Sequence, residues 1–126
     1  MSIAAKSIRI QISNTFGTTD LPITAASIAL PVNGKAGVGE IQVPTLKGIT
    51  FGGARAITIP KGTVAYTDPI AFPVVAQSMI TVSLYLTKGQ SGSSITGHPG
   101  SRTTSWMQAG NLINATSVNQ TSVAHW

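Results

Sequence analysis

The strongest constraint on the fold is a period-two alternation of apolar and polar residues that never runs longer than about one strand. It is clearest over residues 79–86, where Ile80, Val82, Leu84 and Leu86 fall on one side and Met79, Thr81, Ser83 and Tyr85 on the other. Ile8, Ile10 and Ile12 alternate with Arg9 and Gln11 in the same way, and Ile57 and Ile59 flank Thr58. Successive side chains of a strand point to opposite faces, so such runs describe half-buried strands. The 13 glycines and 7 prolines punctuate nearly every run. Asn33-Gly34, Gly52-Gly53 and Pro60-Lys61-Gly62 carry turn chemistry. No stretch keeps the i, i+3, i+4, i+7 spacing of a helix over three turns.

Leu21–Leu30 reads as an extended stretch broken at Pro22, and Leu46–Phe51 as a strand ending at Gly52-Gly53. Val64 and Tyr66 continue the alternation after the Pro-x-Gly turn. Residues 88–94 read as a loop, His98-Pro99-Gly100 as a turn, and residues from about 109 to 126 as a polar, loop-rich tail. About eight short antiparallel strands with turns at this spacing predict an all-β chain, a single β-sandwich or jelly-roll-like domain. At 126 residues the chain has the size of one domain, 1–126. Charged residues are only 9% of it, far below the roughly 25% of an average domain.

Lys and Arg outnumber Asp and Glu by 8 to 3, giving a net charge of +5. The basic residues are scattered, which speaks against a nucleic-acid partner, since such binders cluster them. No apolar run approaches the roughly 18 residues of a membrane span. The first ten residues contain Lys6 and Arg9 and lack the long apolar core of a signal peptide. With no cysteine, a disulfide framework is ruled out. Asn114-Ala115-Thr116 and Asn119-Gln120-Thr121 are N-x-T sequons, which makes Asn114 and Asn119 candidate glycosylation sites and points towards secretion.

Catalytic chemistry finds little footing. There is no Gly-x-Ser-x-Gly elbow and no Gly-Asp-Ser block, and a hydrolytic triad would have to be assembled from His98 or His125 and three acids. Asp20 and Asp68 flank turns and are expected to hold strand ends rather than to cleave glycosides. The histidines stand apart from the acids, against metal ligation, and no cofactor loop is present. Phe16, Phe51 and Phe72 are assigned to the core. Tyr85 and Trp106 are open to either role, core edge or stacking surface.

Several ordered blocks then become specific. Ile8-Arg9-Ile10-Gln11-Ile12-Ser13-Asn14-Thr15-Phe16-Gly17, Ile49-Thr50-Phe51-Gly52-Gly53 and Ile57-Thr58-Ile59-Pro60-Lys61-Gly62 resemble the region ahead of the catalytic part in GDSL-like lipase/acylhydrolases. So do Val82-Ser83-Leu84-Tyr85-Leu86, His98-Pro99-Gly100-Ser101-Arg102-Thr103-Thr104-Ser105-Trp106, and the final Ala124-His125-Trp126, which looks like fungal members. The resemblance implies an N-terminal β-sandwich of a secreted SGNH hydrolase whose catalytic domain, with its nucleophile block, is absent from this chain. No catalytic residue carries over. On this reading the chain is truncated, by gene, gene model or excision, and a missing next strand would leave an open, pairing-prone sheet edge.

The expected role is thus a non-catalytic accessory domain of an extracellular ester hydrolase. It would pack on the SGNH domain in cis and help present substrate. His98, Arg102, Trp106 and Tyr85 are the candidate ligand or interdomain contacts. Two alternatives stay open: a free-standing carbohydrate-binding module that takes polysaccharide through Tyr85 or Trp106, and a standalone hydrolase with an unrecognised site.

Overall fold

The structure is a computed structural model that describes residues 2–97 and 103–118, together with the backbone of Ser122–Val123. It is an all-β domain, as the alternation predicts. Nine strands lie among the described residues: β1 (Gln11–Ser13), β2 (Leu21–Ile23), β3 (Ala25–Ala29), β4 (Lys47–Gly48), β5 (Ile57–Ile59), β6 (Val64–Tyr66), β7 (Thr81–Tyr85), β8 (Ser105–Trp106) and β9 (Ser122–Val123). They pair antiparallel in small sheets, β1 with β6, β2 with β5, β8 with β9, and a three-stranded sheet in the order β4-β3-β7. Two 3₁₀ turns, Val32–Gly34 and Val43–Thr45, are the helical elements of the described residues.

One core joins these pieces. Ile23 of β2, Ala26 and Ile28 of β3 and Ile59 of β5 pack with Ile8, Ile49, Phe51, Ile70, Phe72 and Val74 from the segments between strands. Ile10, Ile12, Leu21 and Ile57 lie partly buried against it, so the alternating isoleucines of β1 and β5 do face inward. β3 is the centre of the molecule: its residues 26–29 are all buried, and Ile28 has no exposed surface.

Four details differ from the sequence expectation. The break in residues 21–30 falls at Thr24, where the chain passes from the β2-β5 pair to the β4-β3-β7 sheet. Pro22 sits inside β2 opposite Thr58. A strand with a neighbour on one side only can hold a proline that donates no ladder bond. Residues 46–51 form just the two-residue β4 plus an isolated bridge between Phe51 and Ala54 around Gly52-Gly53. In β6 the alternation runs the other way: Ala65 packs on the core, while Val64 and Tyr66 are exposed. Phe16 is not a core residue. It is 70% exposed, against 7% for Phe51 and 3% for Phe72.

The turn that carries Phe16 explains its position. Asn14 is fully buried and ties the turn down by polar bonds alone. Its side-chain nitrogen donates to the carbonyls of Thr19 (2.9 Å) and Ile59 (3.0 Å), and its oxygen accepts from Gln90 Nε2 (2.9 Å). Gly17 is needed here because a Cβ would collide with Asn14 Oδ1. The Phe16 amide donates to Thr96 Oγ1 at 3.0 Å, which binds the turn to the loop after β7. With its backbone satisfied in this way, the turn has no use for an aromatic anchor.

Residues 111–118, read as part of a polar tail, contain no strand, yet they are fastened as a strap. Ser27 Oγ donates to the Ile113 carbonyl at 2.5 Å, Ile41 N to the Thr116 carbonyl at 3.0 Å, and Val118 N to the Gly39 carbonyl at 2.8 Å. Gly39 is a close approach: a Cβ there would run into the Val118 carbonyl.

Candidate functional site

Two of the three acids, Asp20 and Asp68, are spent on structure. Asp68 accepts from Thr50 Oγ1 at 2.6 Å, from the Gly52 amide at 2.9 Å and from the Gly53 amide at 2.8 Å. The Thr50 hydroxyl and then the Gly53 amide hold its carboxyl below the ordinary value of 3.8. The Gly52 amide and the charge of Arg9 add to this, while desolvation opposes it. Asp20 accepts from the Lys61 amide at 3.0 Å. Both therefore hold turns in place, as their positions suggest, although the bonds run to distant segments rather than within their own turns. Among the described residues no three His, Asp or Glu side chains gather as a metal site would require.

Arg9 reaches across the same end of the molecule. Its Nε donates to the Thr67 carbonyl at 2.8 Å, and its guanidinium lies 5.9 Å from the centroid of the exposed Tyr66 ring. Such cation–π geometry contributes about 0.5–1 kcal/mol at an exposed site.

The more informative surface lies along β7. In the antiparallel register Ala26 faces Leu84, Ser27 faces Ser83 and Ile28 faces Val82. Directly opposed residues share a face of the sheet. Val82 and Leu84 therefore share a sheet face with Ala26 and Ile28, yet burial along β7 runs opposite to the alternation, with Thr81, Ser83 and Tyr85 half-buried and Val82 and Leu84 exposed. The latter two are 37% and 42% exposed, because β7 is the edge strand and no described segment closes over it. Met79, just before the strand, is 45% exposed, and Val75 69%. Residues 69–87 contain no charged side chain. The result is an uncharged margin along β7 with several exposed apolar side chains.

The candidate residues from the sequence divide accordingly. Tyr85 is half-buried on β7, opposite Ala25 and on the Ser83 side of the sheet. Trp106 is half-buried on β8, opposite Ser122. No hydrogen bond or ring contact joins Tyr85 and Trp106. His98, Arg102 and Asn119 lie outside the described residues. Asn114 is exposed on the strap. Val82 and Leu84 were assigned to a strand but not to a contact surface. Sequence alternation shows which residues share a face and is silent on whether that face is covered. The missing charges between Asp68 and Lys88 were the available signal.

No protein-family model and no curated protein matches the chain. No described helix is long and apolar enough to cross a membrane.

Proposed function

We propose that this domain is a non-catalytic accessory module that packs on an ester-hydrolase domain of the SGNH class and helps present its substrate. The observation that carries the reading is the uncharged β7 margin, where the aliphatic Val82 and Leu84 stand open to solvent. A cluster of exposed apolar residues commonly marks a place where another protein surface packs. The engagement of Asp20 and Asp68 in backbone hydrogen bonds agrees with a module that does no chemistry of its own. The resemblance of the ordered blocks from Ile8 to Trp106 to GDSL-like hydrolases supports the hydrolase class. Tyr85 and Trp106 are half-buried rather than presented as flat stacking platforms, which favours packing over sugar binding.

Sequencing the encoding transcript beyond the Trp126 codon tests this directly. An in-frame continuation into a Gly-Asp-Ser block is expected. An immediate stop codon would overturn the proposal. In the longer protein, Leu84→Lys is expected to separate one melting transition into two. An unaltered single transition would remove β7 from the interdomain contact.

A further inference from the structure

The outer edge of β7 carries backbone groups that no described strand pairs. The Ala26 carbonyl accepts from the Ile49 amide at 3.0 Å, so Ala26 spends its backbone bonds on the β4 side of β3. Successive residues of an antiparallel strand bond to alternate sides. Ala25, Ser27 and Ala29 therefore turn to β7, where Tyr85, Ser83 and Thr81 meet them. The amides and carbonyls of Val82 and Leu84 point the other way, where β7 has no neighbour among the described residues. Such a row is a template for another strand, and proteins blunt it with proline, charge or a very short edge. β7 is five residues long and has neither proline nor charge.

What fits this edge follows from its own sequence. Antiparallel pairing of Thr81–Tyr85 with itself, about a two-fold axis at Ser83, sets Val82 opposite the second copy's Leu84 and Leu84 opposite its Val82. These are the residues with outward backbone groups, so both positions become hydrogen-bonded pairs. Ser83 meets Ser83 in the non-bonded pair between them, where strands come closest and a small side chain suits. The side chains of Val82 and Leu84, 37% and 42% exposed in one copy, then stand beside their counterparts on one face. In this register Lys88 falls opposite Ser78, so no like charges meet. For a chain of net charge +5, a neutral margin is where two copies approach with least repulsion. The far edge closes the assembly. β4 is two residues long and its Lys47 bonds to the Ala71 carbonyl, so pairing stops at two copies.

We infer that the chain forms a symmetric dimer by antiparallel pairing of β7 with β7 about Ser83, which joins two sheets in the order β4-β3-β7-β7-β3-β4. The pairing uses the backbone edge, whereas the hydrolase contact proposed above uses the face that bears Val82 and Leu84. It does not rest on that reading.

Sedimentation equilibrium of the whole chain over a concentration series tests this. A five-residue edge is a small contact, so a dissociation constant of roughly 10–100 µM is expected, read over about 5–500 µM. The mass should rise from 13.0 kDa to a plateau at twice that value. Hydrogen exchange should slow at the Val82 and Leu84 amides as concentration rises, while Ser83, paired with Ser27, is protected throughout. Val82→Pro deletes an outward amide without removing a bond to β3, and is expected to weaken dimerisation at least about tenfold. Val82→Lys keeps the amide, adds a charge to the edge and is expected to do the same, so the test stands if the proline variant does not fold. A monomer at every concentration, growth beyond the dimer, exchange at Val82 and Leu84 that ignores concentration, or undiminished dimerisation in Val82→Lys would each overturn the inference.

Discussion

The three-stranded sheet has two edges, and they are finished in opposite ways. On the β4 side the strand is two residues long and carries Lys47, whose ammonium caps the Ala71 carbonyl. It runs at once into a turn locked by Asp68. On the β7 side the strand is five residues long, has no charge and no proline, and leaves aliphatic side chains in water. Short strands and lysines are standard protection against unwanted strand pairing. The chain protects one edge and leaves the other bare, and this asymmetry locates the interaction surface more sharply than any single residue does.

Mutations at and between the two edges test the contrast. The largest effect is expected in the shared central strand. Ile28→Ala should cost about 2–5 kcal/mol, the range for a fully buried aliphatic residue cut to alanine. Leu84→Ala, on the same face one strand away, should cost roughly 1 kcal/mol or less, since much of its area is already wet. Urea unfolding of the isolated domain measures both. If Leu84→Ala cost as much as Ile28→Ala, the β7 margin would be core and not surface.

The smallest effect belongs to the locked edge and shows in pH dependence. The carboxyl of Asp68 is held below its ordinary value, so its stabilisation is complete above the unfolded value, 3.8. It is lost as pH falls through the lower folded value. Asp68→Asn removes that titration. The wild type should therefore lose melting temperature more steeply below pH 3.8 than Asp68→Asn does. Parallel curves would mean that the carboxylate contributes nothing specific to that edge.

Much of this architecture could be read from the chain because alternation and turn residues act locally. Ile8, Ile10 and Ile12, the Ile57–Ile59 pair and the Pro60–Gly62 turn all behave as their neighbours in sequence dictate. What could not be read depends on distant partners. Phe16 looked like core until the buried amide of Asn14 satisfied its turn. β6 reverses its faces because Ala65, not the larger Val64 or Tyr66, fits against the core. The strap looked like a polar tail because its fastenings are backbone carbonyls and an amide, groups that sequence pattern does not mark.

The strap also bears on the order in which the molecule assembles. The bond from Ser27 to Ile113 spans 86 residues. Closing so long a loop costs entropy that few contacts repay until β3 and its neighbours already stand. The strap's hydrogen bonds at Ser27, Gly39 and Ile41 are thus long-range contacts of the kind that slow folding, as is the Phe16–Thr96 bond across 80 residues.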